Sequence, residues 1–111
     1  MFTDRVNFLQ KAVIFHPLEA TLLVLQRRKD AARTPQWDLP GGNVIFGEIH
    51  LDAIKREIRE ETGLIVTDLQ VAQVATGFNR ERQLYHLFWG YSCKAESVNV
   101  RLSEHEAYRW V

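Results

Sequence analysis

The sequence predicts an α/β domain in which a mixed β-sheet carries one long helix. Three observations lead there. Apolar runs rich in β-branched and aromatic residues stand at 7–15, 20–26, 65–78 and 83–95. Between the second and third of them, Leu51, Ile54 and Ile58 recur at helical spacing. Turn-forming residues punctuate the chain at His16-Pro17, Pro40-Gly41-Gly42 and 79–82. Strand, strand, helix and further strands is the order of a mixed sheet.

At 111 residues the chain makes one domain, and 46% hydrophobic with 25% charged residues is an ordinary globular balance. Acidic and basic residues number 14 each, so no net charge draws the chain to nucleic acid or membrane, and any basic site must be local. A single cysteine, Cys93, excludes an internal disulfide and fits a reducing, cytoplasmic setting. It lies in an apolar strand pattern and is expected to pack rather than react. The first residues lack the apolar core of a signal peptide, and no apolar run approaches the length of a membrane span.

In chain order, 7–15 reads as a strand and 20–26 as a nearly continuous apolar strand covered on both faces. The second run ends in Arg27-Arg28-Lys29, and strand alternation sends Arg27 and Arg28 to opposite faces. One of them can then reach a pocket. Residues 30–36 are a loop by composition. Gly41 and Gly42 let the backbone approach a ligand closely. Residues 43–46 read as a short strand, Gly47 as a turn, and Glu48 as the start of a helix running to Thr62. Gly63 suits a left-handed C-cap. Strand 65–78 is interrupted near Asp68, and 79–82 is a polar hairpin tip. In the long strand 83–95, Tyr85, Leu87, Trp89, Tyr91 and Cys93 share the expected core face, with Leu84, His86 and Phe88 opposite. Gly90 suggests a bulge or a close approach. A loop with an acidic end covers 95–106, and 107–111 is a last short strand. His86 reads as a packed or hydrogen-bonded histidine, His16 as a turn residue and His50 as an exposed-face residue.

The chemistry is concentrated on the helix. Glu57, Glu60 and Glu61 lie at i, i+3 and i+4, so they share one face and repel one another. A hard divalent cation removes that conflict by binding the carboxylate oxygens. Glu61 falls at the edge of the apolar stripe, where water is partly excluded and a cation's charge acts strongly. An isolated Glu-rich helix would be read more simply, with Arg56 and Glu60 as a solvated i,i+4 pair. The spacing goes further than that. Gly42, five residues, Glu48, seven residues, then Arg56-Glu57-Ile58, Glu60-Glu61 and Gly63-Leu64 form one pattern. A chance match is on the order of one in a million chains or rarer at average residue usage.

That pattern reproduces the signature of the Nudix hydrolases without a substitution, and the chain resembles a MutT-like Nudix domain. The resemblance implies an α/β/α sandwich with helices on both faces of a mixed sheet. Family members normally continue past the strand at Trp110 into a second helix, whereas this sequence stops at Val111. The resulting expectation is an apolar sheet face that is covered either by a longer chain or by a partner, such as a second copy. The resemblance also implies a metal held by the Gly41 carbonyl with Glu57, Glu60 and Glu61, one of which can also act as base. Oxygen ligands suit Mg2+, with Mn2+ as a plausible substitute, and no Cys/His cluster suggests zinc. Arg56 would hold a glutamate in place, and Glu48 would pair within that network. Glu104 is the first candidate for a downstream catalytic glutamate and Glu106 the second, against the alternative of a solvated acidic loop. Arg28 is the choice for a phosphate or base contact, by analogy with family members carrying paired arginines. Trp37 either packs or walls a nucleobase.

The implied reaction is Mg2+-dependent hydrolysis of a nucleoside diphosphate linked to a group X, giving a nucleoside monophosphate and phosphorylated X. Candidate substrates are nucleoside triphosphates including oxidised ones, ADP-ribose, dinucleoside polyphosphates and nucleotide sugars. The ending LSEHEAYRWV resembles the corresponding segment of diadenosine tetraphosphate hydrolases and several nucleotide-sugar hydrolases. Two other readings stay open: a catalytically inactive nucleotide-sensing module, and an RNA 5′-end or cap hydrolase. A complete set of signature carboxylates speaks against the first, and the neutral charge against the second.

Overall fold

The computed structural model describes residues 5–28 and 36–111. Lys29 and nearly all of the loop expected at 30–36 lie outside them. The elements are β1 (Val6–Phe15), β2 (Leu23–Gln26), β3 (Trp37–Asp38), β4 (Gly41–Asn43), α1 (His50–Thr62), β5 (Val66–Asn79), β6 (Leu84–Ala95) and β7 (Ala107–Trp110).

The strands form two sheets. A four-stranded mixed sheet has the order β4-β1-β6-β5, with β1 and β6 parallel and the outer pairs antiparallel. A three-stranded antiparallel sheet has the order β3-β2-β7. The mixed sheet agrees with the sequence. The second sheet does not follow from it, because β2 leaves β1 after the bridge between Phe15 and Leu22 and pairs instead with the far end of the chain.

Both sheets and α1 meet in one core of Ala12, Ile14, Leu23, Leu25, Ile54, Ile58, Tyr91 and Cys93. Ile54 and Ile58 of α1 are fully buried, each stabilising the fold by about 1.5–3 kcal/mol. Leu23 and Leu25, on one face of β2, are fully buried too, while Val24 and Gln26 on the other face are only half-buried, so the strand expected to be covered on both faces is closed on one. Cys93 packs in this core, and burial pushes its thiol up to about 12, so it stays protonated.

The helix starts at His50 rather than Glu48. Residues 45–48 fold into a turn closed by the Glu48 N–H on the Ile45 carbonyl, 2.9 Å, and by the Ile45 N–H on Glu48 Oε1, 2.8 Å. The strand expected at 43–46 ends at Asn43 for the same reason, and Ile45 and Phe46 are exposed. Gly63 caps the helix in the left-handed region at φ 72°, its N–H on the Arg59 carbonyl.

The strand break at Asp68 is real: its φ is 55°, and the β5–β6 register shifts between Thr67 and Gln70. A second shift, between Val71 and Gln73, falls opposite Gly90. Along β6 the expected core face is buried only at Tyr91 and Cys93, while Tyr85 is 47% exposed. The core takes Tyr91, Cys93 and Ala95 from this strand, and the other end of the β5–β6 hairpin lies outside it. His16 makes its turn by accepting the Leu18 and Glu19 N–H groups on Nδ1. His86 Nδ1 lies 3.5 Å from Asn7 Nδ2. His50 is half-buried rather than exposed, with its ring against Trp89 and its Nδ1 3.1 Å from the Tyr91 hydroxyl.

Candidate functional site

The Gly41–Gly42 turn meets the acidic face of α1. The Gly41 N–H donates to Glu61 Oε1 at 2.7 Å. A Cβ on Gly42 would stand 2.7 Å from the Glu57 carboxyl atoms, so Glu57 lies directly against the backbone there. Gly41 has φ 148°, and a Cβ on it would fall 2.0 Å from the Gln10 carbonyl oxygen. Only glycines let β4 run this close to both β1 and α1.

Arg56 organises the outer carboxylates. Its Nε and Nη2 grip Glu48 at 2.7 and 2.9 Å, and its Nη1 reaches Glu57 and Glu60 at 3.1 Å each. Its Nη2 also lies 3.4 Å from the Asn43 carbonyl. The Arg56 hydrogen bonds and the Ile45 N–H hold the Glu48 carboxyl below its ordinary range, and the Glu48 bond raises Arg56. Glu48 therefore serves the loop and Arg56 rather than the first helical turn. Glu60 pairs with Arg56 at the outer side of this group, its side chain 59% exposed. Among the described residues, no three carboxylate, imidazole or thiol groups stand together as a metal-binding set.

Glu61 is the buried member. Desolvation pushes its carboxyl up to about 7, and the neighbouring charges of Glu57 and Asp38 add to the rise. The Gly41 N–H and Lys11 oppose it. Its ionisation is thus costly in the absence of a cation, and a cation held by Glu61 and Glu57 would remove that cost. The oxygen-only donor set fits a hard divalent ion.

Beside Glu61 opens a cleft of about 350 Å³, lined by Leu9, Lys11, Arg27, Arg28, Gly41, Gly42, Glu104 and His105. Both arginines line it, because β2 ends at Gln26 and strand alternation no longer separates them. Arg27 pairs with Asp38 at 2.8 Å, and Lys11 pairs with the same oxygen at 3.1 Å. Burial acts to raise the Asp38 carboxyl, but Lys11, the Leu39 N–H and Arg27 together hold it below its ordinary value. Arg28 Nη2 lies 3.5 Å from the Ser103 carbonyl. Glu104 lines the cleft, and Glu106 does not; the Glu106 N–H anchors the segment on the Gln26 carbonyl at 3.0 Å. Trp37 does not line the cleft; it is 40% exposed on β3 with the Arg109 guanidinium 4.9 Å from its ring centre.

Lys11, Asp38 and His105 are additions to the residues read from sequence. Lys11 could have been found as the lone charge inside the apolar run 7–15. Asp38 and His105 offered no pattern of their own.

The model of the NUDIX domain family matches residues 9–111. The chain belongs to the Nudix family. Relatives of this Nudix chain include the mouse (Mus musculus) asymmetrical bis(5′-nucleosyl)-tetraphosphatase, 37% identical over 83 residues, covering 68% of this chain and 54% of that protein. They also include the Escherichia coli nucleoside triphosphatase NudI, 33% identical over 88 residues, covering 68% and 61%. The chain thus spans only about half to three-fifths of these relatives. Among solved structures, a MutT Nudix hydrolase from Burkholderia pseudomallei superposes with a TM-score of 0.77 at 25% identity, covering 96% of this chain and 83% of that one. A MutT protein from Methanosarcina mazei gives 0.75 at 25% identity, covering 100% and 80%. The mixed sheet with a single described helix is the Nudix fold without a second covering helix.

Proposed function

We propose that this Nudix domain hydrolyses a nucleoside diphosphate linked to X in a Mg2+-dependent reaction, releasing a nucleoside monophosphate and phosphorylated X. One observation carries the reading: Glu57 and Glu61 converge on the Gly41–Gly42 turn at the edge of a cleft lined by three cationic side chains. A phosphate-bearing ligand matches that lining, since Lys11, Arg27 and Arg28 offer charge to anionic oxygens. Glu57, Glu60, Glu61 and the Gly41 carbonyl would hold the ion, with Mn2+ as a substitute. A bound Mg2+ would supply charge neutralisation at the phosphoryl group and lower the pKa of a water.

The chain's own groups do the rest. Arg56 fixes Glu57 and ties the helix to Glu48, so the carboxylates are positioned before substrate arrives. Lys11 and Arg27, held by Asp38, keep fixed positions at the cleft wall. Arg28 is assigned a phosphate contact, and Trp37, outside the cleft lining and under Arg109, the packing role. Glu104, across the cleft lining from Glu61, is the candidate for the proton-accepting carboxylate. The relatives' names favour nucleoside triphosphates and dinucleoside polyphosphates as the first substrates to try. Among the described residues no helix is long and apolar enough to cross a membrane, and we place the reaction in the cytoplasm with small nucleotides as partners.

The test is phosphate release over a nucleotide panel, with and without EDTA. Turnover that EDTA abolishes and Mg2+ restores is expected. Full activity in chelator would sink the metal assignment, and nucleotide binding with no turnover of any panel member would favour a sensing module.

A further inference from the structure

We propose that His105 is a substrate contact, its neutral ring donating a hydrogen bond from Nε2 to a phosphate oxygen of a nucleotide held in the cleft. The inference rests on the nucleotide reading of that cleft and adds to it a residue outside the family signature.

His105 sits in the segment just before β7, and its side chain lines the same cleft as Lys11, Arg27, Arg28, Glu61 and Glu104. The segment is held from both sides, by the Glu106 N–H on the Gln26 carbonyl and by Arg28 at the Ser103 carbonyl. The backbone on either side of His105 is therefore tied to the end of β2 and to Arg28. Its Nδ1 is buried and, among the described residues, has no hydrogen-bond partner. A proton there would be a buried, unpaired donor, and on a charged ring it would cost more still. Either neutral tautomer leaves Nδ1 without a partner, and only the one with its proton on Nε2 can donate to an anion. The surroundings favour the neutral ring as well: burial first, then Lys11 and Arg27, outweigh the opposing charges of Glu104 and Asp38.

The site thus gains a donor without a further positive charge. Arg28, together with Lys11 and Arg27 that Asp38 also engages, offers the cleft's positive charge to an anionic ligand, and ionised phosphate oxygens accept hydrogen bonds. A neutral donor contributes direction where the lysine and arginines contribute charge.

Amide side chains separate this role from a packing role. The Gln amide nitrogen reaches the place of Nε2, and the Asn amide nitrogen that of Nδ1. Calorimetric binding of ADP and of inorganic diphosphate, each with Mg2+, is measured on the parental protein and on His105→Gln, His105→Asn and His105→Ala, with thermal melts alongside. His105→Ala and His105→Asn are expected to weaken both probes by about ten- to a hundredfold, the range for a hydrogen bond to a charged group. His105→Gln is expected to stay within about threefold of parental. Equal binding by all three variants, with the parental protein binding both probes, overturns the contact and leaves the nucleotide reading intact. Loss confined to ADP overturns the phosphate assignment, because the contact would then be to the nucleoside. Loss in His105→Gln as large as in His105→Ala, with melting temperatures unchanged, overturns the Nε2 donor. A parental protein that binds neither probe overturns the cleft reading itself, and this inference with it.

Discussion

Glu61 must be ionised to hold a cation, yet its surroundings favour the proton. Its carboxyl sits near 7 in the folded protein against an ordinary 4.5. Between those values the folded protein keeps a proton that the unfolded chain has given up. Stability of the metal-free protein therefore falls as pH rises from about 5 to 7. In EDTA, Glu61→Gln should raise the melting temperature at pH 8 and change it little at pH 4.5. His105 acts in the opposite sense, since its depressed pKa favours the folded state as pH rises, so the difference between parental and variant isolates Glu61. Equal shifts at both pH values would show that Glu61 ionises freely. In turnover, Glu57→Gln and Glu61→Gln are each expected to lower kcat by at least about a hundredfold. A variant that kept near-parental turnover would make the signature vestigial here. At this scale the sequence was informative where spacing encodes chemistry. Glu57 and Glu61 were readable from helical spacing and charge, Arg56 and Glu48 from the resemblance to the family signature, and the structure places the four around one turn and one guanidinium. Asp38 and His105 were not readable, because an ion pair across the sheets singles out the first and a place in the cleft lining the second, and no local pattern records either.

The Gly41–Gly42 turn and α1 act as one element, and their glycines separate stability from chemistry. A Cβ at Gly41 would strike the backbone of β1, and φ 148° is a conformation that L side chains rarely adopt. Gly41→Ala should cost about 3 kcal/mol or more, or abolish folding. A Cβ at Gly42 would meet only the movable end of Glu57. Gly42→Ala should lose about 1 kcal/mol or less in denaturant melts while turnover drops at least tenfold, as the carboxylate is displaced. Unchanged turnover in Gly42→Ala would mean that the position of Glu57 against the turn is immaterial. The helix was legible because Ile54 and Ile58 fix its buried face and Gly63 its end. Its start was not, because Glu48 suits a helix N-terminus as well as it suits the turn it closes. The partner of β2 was not legible either: pairing with β7 joins residues more than eighty apart, and apolar alternation carries no address.

Across the molecule, exposed apolar surface lies on the β5–β6 hairpin rather than on β2. The strand run at 20–26 is closed over its core leucines. Val74 and Phe78 of β5, and Tyr85 of β6, are instead exposed, with the Phe78 and Tyr85 rings 4.7 Å apart. Register places Val74 opposite Trp89 and Phe78 opposite Tyr85, so they share the sheet face that carries α1. β5 is also an edge strand. The expectation of a second copy or a longer chain over an apolar face has a direct test at this hairpin: for a second copy, light scattering should show a mass above the monomer that Val74→Lys with Phe78→Lys lowers. A monodisperse monomer in the parental protein would refute it. The resemblance pointed to uncovered apolar surface, and only the three-dimensional pairing could say where on the strands it lies. The central claim concerns a smaller place, the carboxylates at the Gly41–Gly42 turn. Its most direct test is a Mn2+ titration followed by electron paramagnetic resonance on parental, Glu57→Gln and Glu61→Gln proteins. Saturable binding in the parental protein, weakened at least tenfold in each variant, is expected of ligands lost from a metal site. Binding of the same strength in all three would contradict the assignment of that turn as the metal centre.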